Sequence, residues 1–155
     1  MFVEALSGGG GVGVVTSPIR VTGNDSPTGY HVTASSTYSN NYEPYMAFNG
    51  SASNNGWAPR TAGDGWVKVE LPSAKRIAIA IMKYSASRTY TLYGSNDDSD
   101  YTELGTITTT TSLTDMFNNV SLVNSSAYKY FKVVGNFATA GAGYKVELYP
   151  IEEAS

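Results

Sequence analysis

An all-β fold, an antiparallel jelly-roll β-sandwich, is predicted by three features of this chain. Apolar residues recur at every second position, turn residues separate them at short spacing, and Tyr, Thr, Ser, Asn and Gly are abundant. Only 15% of the 155 residues are charged, and the long Leu/Ala/Glu/Lys runs of helical proteins are missing. A chain of this length is the size of one domain and can bury a core without cross-links. Cysteine is absent, which excludes a disulfide framework and thiolate metal sites.

The elements follow in order. Residues 1–16 carry an apolar start (Phe2, Val3, Leu6), then glycines from Gly8 to Gly11 and Val12-Gly-Val-Val15. Glycine costs much entropy to order and packs no side chain, so this segment reads as a flexible arm whose tip is suited to docking. The sandwich is expected over residues 17–151 and a short tail over residues 152–155. In Trp66-Val-Lys-Val-Glu-Leu71, Val67, Val69 and Leu71 share one face while Lys68 and Glu70 point the other way, the signature of a half-buried strand. Ile77, Ile79 and Ile81 alternate with Ala78 and Ala80, so a strand covered on both faces is expected there, with the three isoleucines together. Residues 106–111 and Val120-Ser-Leu122 are further strand segments. Phe131 and Val133 alternate with Tyr130 and Lys132, and Tyr144, Val146 and Leu148 alternate with Lys145, Glu147 and Tyr149. Gly94-Ser-Asn-Asp-Asp-Ser-Asp100 is a turn cluster joining two strands, which accounts for its carboxylates without a metal.

Several function classes are excluded or left without support. Ten Lys and Arg are spread along a chain of net charge −3, so nucleic-acid binding has no electrostatic source. No segment is apolar enough to span a bilayer, and Met1-Phe-Val-Glu-Ala-Leu-Ser-Gly lacks the basic and apolar regions of a secretory signal. His31 is the only histidine, and no nucleophile–base arrangement can be built around it. Gly8-x-Gly10-x-x-Gly13 matches a dinucleotide fingerprint in letters alone, with neither the preceding strand nor the following helix. The expectation is therefore a binding module and not an enzyme.

Five landmarks stand in a fixed order: Ala34-Ser-Ser; Ala47-Phe-Asn-Gly50 with Trp57; Trp66-Val-Lys-Val-Glu-Leu71; Tyr90-Thr-Leu-Tyr-Gly-Ser-Asn-Asp97; and Tyr128-Lys-Tyr-Phe-Lys-Val-Val134 with Tyr144-Lys-Val-Glu-Leu-Tyr149. In this order they resemble the discoidin, or coagulation factor type C, family and the similar family 32 carbohydrate-binding modules, both galactose-binding-like sandwiches. The segment Pro18-Ile-Arg-Val-Thr-Gly-Asn-Asp-Ser-Pro-Thr-Gly29 resembles the versions carried by bacteriophage tail and virion proteins.

That resemblance implies two sites. The first is a calcium loop, with donors at Phe48, Asn49, Ser51 and Ser53 and a carboxylate at Glu147 on the outward face of the last strand. Oxygen donors suit a hard cation and Gly50 permits a sharp turn, but Asn49 replaces the family's usual Asp and brings no charge. The second is a sugar site on loops at one end of the sandwich, where Asn40, Tyr42, Arg60, Arg88, Asn136 and Phe137 are expected to face the ligand. Tyr38, Asn41, Tyr45 and Trp57 lie nearby, Trp57 at a family core position. Sugars are recognised by flat rings stacked on C–H faces and by amide and guanidinium donors to hydroxyls, and these loops supply both.

The implied function is a non-catalytic module of a phage virion, in a tail fibre or as capsid decoration, that contributes to host attachment through a surface glycan. Residues 1–16 would dock on other virion proteins. Single sites of this kind bind weakly, so a homo-oligomer or multicopy display is expected. The alternative is a purely structural decoration or cement protein using the same sandwich for protein contacts. The expected location is the virion, or alternatively the extracellular space.

Overall fold

The computed structural model describes residues 13–51, 55–111, 121–123, 125–139 and 143–153. Its strands are β1 (Gly13–Val15), β2 (His31–Ala34), β3 (Gly63–Lys83), β4 (Thr89–Ser95), β5 (Thr102–Thr108), β6 (Ser121–Leu122), β7 (Ala127–Phe137) and β8 (Lys145–Glu153). They pair antiparallel in the order β1-β8-β3-β7-β4-β5, with β2 and β6 also paired to β3. Two single-turn 3-10 helices, η1 (Asn40–Tyr42) and η2 (Pro44–Ala47), interrupt the connection between β2 and β3.

The sandwich is organised by β3. Its first half lies between β2 and β7, with Val67 opposite both Ala34 and Val133. A register irregularity between Glu70 and Lys75 bends the strand, after which it pairs with β8 and β6. A strand that changes neighbours in this way turns the corner between two layers. The core fills the space enclosed, taking Val67, Val69 and Leu71 from the first half of β3, and Ile77, Ala80 and Met82 from the second. Phe131, Val133, Val146 and Leu148 pack against them.

The alternation read in residues 66–71, 131–133 and 144–148 is present as expected. The isoleucine run differs. A second irregularity between Ile77 and Ile79 inserts Ala78 as an extra residue opposite β8. Ile77 therefore joins the main core, while Ile79 and Ile81 pack on the other face with Ala78, Val15, Tyr149 and Ile151. A bulge reverses the facing of everything beyond it, and a period of two cannot report it.

The arm boundary also moves. Gly13, Val14 and Val15 pair with Glu153, Glu152 and Ile151 of β8, Val15 is fully buried, and the Thr16 N–H donates to the Pro150 carbonyl at 2.8 Å. Residues 13–16 thus belong to the sheet, because three β-branched residues in sequence find an open edge to pair with. The expected tail starts inside β8. Residues 1–12 of the arm lie outside the described residues.

The turn at 95–100 is held locally. Asp97 Oδ1 accepts the backbone N–H groups of Ser99 and Asp100 at 2.9 and 2.8 Å, which holds its carboxyl below the usual carboxylate range. His31 pairs with Asp25 on the surface at 2.7 Å.

Candidate functional site

β2 and β7 end, and β3 and β4 begin, at one pole of the sandwich. Gly63 and Asp64 face Phe137 and Asn136 across the ladder, and Ala34 lies opposite Val67. The described parts of the connections at residues 35–51, 55–62 and 84–88, and the ends of the 138–143 connection, consequently gather at that pole.

Its floor is aromatic. Trp57 meets Phe137 edge-on with ring centroids 4.8 Å apart, Phe137 stacks on Tyr90 at 4.5 Å, and Tyr144 closes the group against Phe137 at 4.9 Å. All four rings are essentially inaccessible to solvent. The polar atoms of this floor are partnered, as burial requires. The Trp57 indole N–H donates to the Ser36 carbonyl at 2.9 Å. The Tyr90 hydroxyl donates to the Asn136 carbonyl at 2.9 Å and lies 2.9 Å from the Tyr144 hydroxyl, which accepts the Ala138 N–H. Burial, with that neighbouring hydroxyl, pushes the Tyr90 phenol far above its ordinary range. Gly56, at φ +82°, brings the Trp57 segment against the backbone of Tyr144, where a Cβ would sit 2.4 Å from the carbonyl oxygen.

Above the floor stands a polar and aromatic rim. The Ser39 hydroxyl caps η1 by accepting the Asn41 N–H at 3.3 Å, and η1 turns Tyr42 edge-on to Tyr38 with centroids 5.5 Å apart. Tyr38 remains 49% exposed, one of the two large apolar side chains most open to solvent among the described residues. The Tyr38 N–H donates to the Ala58 carbonyl at 2.9 Å and the Arg60 N–H to the Ser36 hydroxyl at 2.9 Å, tying this loop to the Trp57 segment. Arg60 is exposed, and its guanidinium has no hydrogen bond or ion pair among the described residues. Across the pole, Arg88 donates to the Asn136 carbonyl at 3.4 Å and lies 5.8 Å over the Tyr84 ring. The Asn136 side-chain amide donates to Asp64 Oδ1 at 3.4 Å.

The structure places Asn40, Tyr42, Arg60, Arg88 and Asn136 on the connections and strand ends of this pole. Phe137 does not face a ligand: it is buried between Trp57 and Tyr90, because it sits at an inward position of β7, in step with Phe131 and Val133 along an unbroken register with β3. Trp57 is a core residue. Asp64, Tyr84 and Ser36 belong to the pole and were missed. Asp64 was signalled only by its place immediately before Gly65-Trp66, and Tyr84, which stacks on Tyr144 at 4.2 Å, by none.

The loop at residues 48–51 is arranged differently from the calcium loop expected. The Phe48 carbonyl accepts the Val21 N–H at 3.3 Å, and its ring is buried. Asn49 Oδ1 accepts the Ser51 N–H at 3.1 Å. Ser53 lies outside the described residues. Glu147 is not outward: it is buried, bound to Arg20 Nη2 through Oε1 at 3.0 Å, while Oε2 accepts the Tyr149 hydroxyl at 2.8 Å. Its face of β8 is covered, which alternation along one strand does not reveal. Among the described residues no three His, Cys, Asp or Glu side chains converge. As arranged, these donors do not fit a dication, since the one carboxylate already holds a cationic partner.

This antiparallel β fold is shared with solved carbohydrate-binding modules. A family model described as the F5/8 type C domain matches residues 31–145, and the chain belongs to that family. The chain is similar to chitosan-binding module 1 from a chitosanase/glucanase of Paenibacillus sp. IK-5, with 24% identity and a TM-score of 0.54, covering 80% of this chain and 95% of the module. It is similar to the family 32 module of Clostridium perfringens NanJ solved with galactose, with 16% identity and a TM-score of 0.55, covering 81% and 95%. The family 32 module of AlyQ, solved with 4,5-unsaturated mannuronic acid, shares 15% identity with a TM-score of 0.58, covering 90% and 100%. No curated protein matches the chain.

Proposed function

We propose that this chain is a non-catalytic carbohydrate-binding module that takes a glycan at its loop pole, and that it serves in a phage virion in many copies to hold a host surface polysaccharide. The observation that carries the reading is the guanidinium of Arg60, without a partner among the described residues, on the same loop rim as the exposed Tyr38 and the half-buried Tyr42, above a closed aromatic floor. A guanidinium without an internal partner and rings open at one face are the two groups that a sugar's hydroxyls and C–H face require. The sugar-bound neighbours support the ligand class. The virion setting rests on the likeness of residues 18–29 to phage-borne versions, and weak single sites make multivalent display necessary.

The experiment is affinity electrophoresis and a glycan array with a multivalent form of the protein, against neutral and acidic bacterial polysaccharides. Retardation that disappears in Arg60→Ala and Tyr42→Ala supports the reading; no retardation by any polysaccharide removes it. A structural role in the particle is favoured by one feature, the edge strand β1, whose Val14 is 42% exposed at the end of the sheet order. Imaging of the intact particle separates the two, because a loop pole buried against neighbours would leave only the structural role.

A further inference from the structure

We propose that Arg20 is a resident cation: its guanidinium joins the 48–51 loop to Glu147, the two parts from which the resemblance draws its calcium donors, so this loop is metal-independent.

The geometry is specific. Arg20 follows Ile19, which is buried and whose N–H donates to the Leu148 carbonyl at 2.9 Å. Alternation therefore turns Arg20 away from the core and toward β8. There its Nη2 reaches Glu147 Oε1 at 3.0 Å. The same guanidinium lies against the loop, since a Cβ built on Gly50 would stand 2.1 Å from Arg20 Nε and 2.4 Å from its Cζ. Gly50, at φ +68°, is thus required twice, by its backbone conformation and by the space the guanidinium occupies. Arg20 bridges the two parts that an ion would otherwise join, the loop after Phe48 and the carboxylate on the last strand.

The loop's own donors are consistent with this. Asn49 has turned its oxygen onto Ser51 and the Phe48 carbonyl is held by Val21, so the turn closes on itself. A neutral amide at position 49 also becomes intelligible. Glu147 already engages the guanidinium, so no second carboxylate is needed to hold it. Charge opposes a dication in addition: Lys145 is buried two residues before Glu147 on the same face of β8, with Lys83 opposite it in the ladder. Calcium would face three cations against one carboxylate. This inference stands whether or not the loop pole binds a glycan.

The test combines titration with a mutant cycle. Calorimetry of the full chain with CaCl2 should show no saturable heat, and the wild-type melting temperature should agree within about 1 °C between EDTA and millimolar CaCl2, because a ligand stabilises the state it binds. Arg20→Ala and Glu147→Gln should each lower the melting temperature by roughly 5 °C, and the double variant by little more than either. Gly50→Ala should cost less in the Arg20→Ala background than in the wild type. Saturable calcium binding by the wild type with a Kd below about 1 mM, or fully additive losses in the Arg20/Glu147 cycle, would overturn the proposal. The calcium titration decides the matter even if a variant fails to fold.

Discussion

Two regions of this molecule have nearly the same side-chain inventory and opposite states. At the loop pole, Tyr38, Tyr42 and Tyr84 accompany Arg60 and Arg88. On the outer face of β3 and β7, Trp66, Tyr101 and Tyr130 accompany Lys68, Lys129 and Lys132. In the second region the groups satisfy one another. Lys132 Nζ lies 3.8 Å from the Tyr101 ring centroid and 5.8 Å from that of Trp66, and Lys68 Nζ lies 5.2 Å from Trp66. Lys68 also holds both carboxylate oxygens of Asp98 at 2.8 Å, the Tyr101 hydroxyl donates to Asp98, and Lys129 pairs with Glu70 at 3.5 Å. The ring faces are covered by ammonium groups of the same chain. At the pole Arg88 lies over Tyr84 in the same way, but among the described residues Arg60 and the Tyr38 ring have no such cover. Side-chain inventory alone does not separate the two regions; internal satisfaction does.

This contrast can be broken in four ways. The largest effect is expected from Trp57→Ala, which empties the floor and should destabilise the fold by about 3–5 kcal/mol, read by urea denaturation. A loss below about 1 kcal/mol would mean the floor is not a packed core. Next, Tyr42→Ala combined with Arg60→Ala should weaken glycan binding by about tenfold, roughly 1.4 kcal/mol, with an unchanged melting temperature. If binding survives while the thermal midpoint falls, the rim is structural.

The third effect is on pH dependence. Burial, aided by Lys83 and Arg20, pushes the Lys145 ammonium down to about 8, so the folded chain releases that proton before the unfolded chain does. Stability should therefore rise from pH 8 toward about 10, where an unfolded lysine titrates. Burial pushes the Tyr149 phenol up to about 12, and burial with the Asp98 bond raises Tyr101 further. Above about pH 10 the unfolded tyrosines ionise first and stability should fall. Urea midpoints at pH 7.5, 9.5 and 11 should thus pass through a maximum, and Lys145→Met should flatten its rising side; a monotonic fall in the wild type would contradict the assignment. The smallest effect is expected from Lys132→Met on the sheet face: a loss of about 0.5–1 kcal/mol with glycan binding unchanged. Lost binding there would show that the face is a second sugar surface.

Alternation with a period of two was sufficient to place Val67, Val69, Leu71, Phe131, Val133, Tyr144, Val146 and Leu148 in the core, because each strand has only two faces and the apolar one must leave water. Turn chemistry placed the 95–100 hairpin, since Asp97 bonds its own neighbours. The loop rim was legible as a group because β-strand ends carry their loops to a common pole. Three things were not legible. Ala78 flips Ile77 by a bulge that leaves no trace in residue type. Phe137 looks like a loop aromatic until Trp57 and Tyr90, 80 and 47 positions earlier in the chain, close over it. Arg20 and Glu147, 127 positions apart, meet only because residues 13–19 run along β8. The sequence by itself determined strand periodicity, the absence of cysteine chemistry and the family. Tertiary structure alone decided which cations are already partnered and which are free, since the energy of a charge depends on what lies within a few ångströms of it and not on its place along the chain.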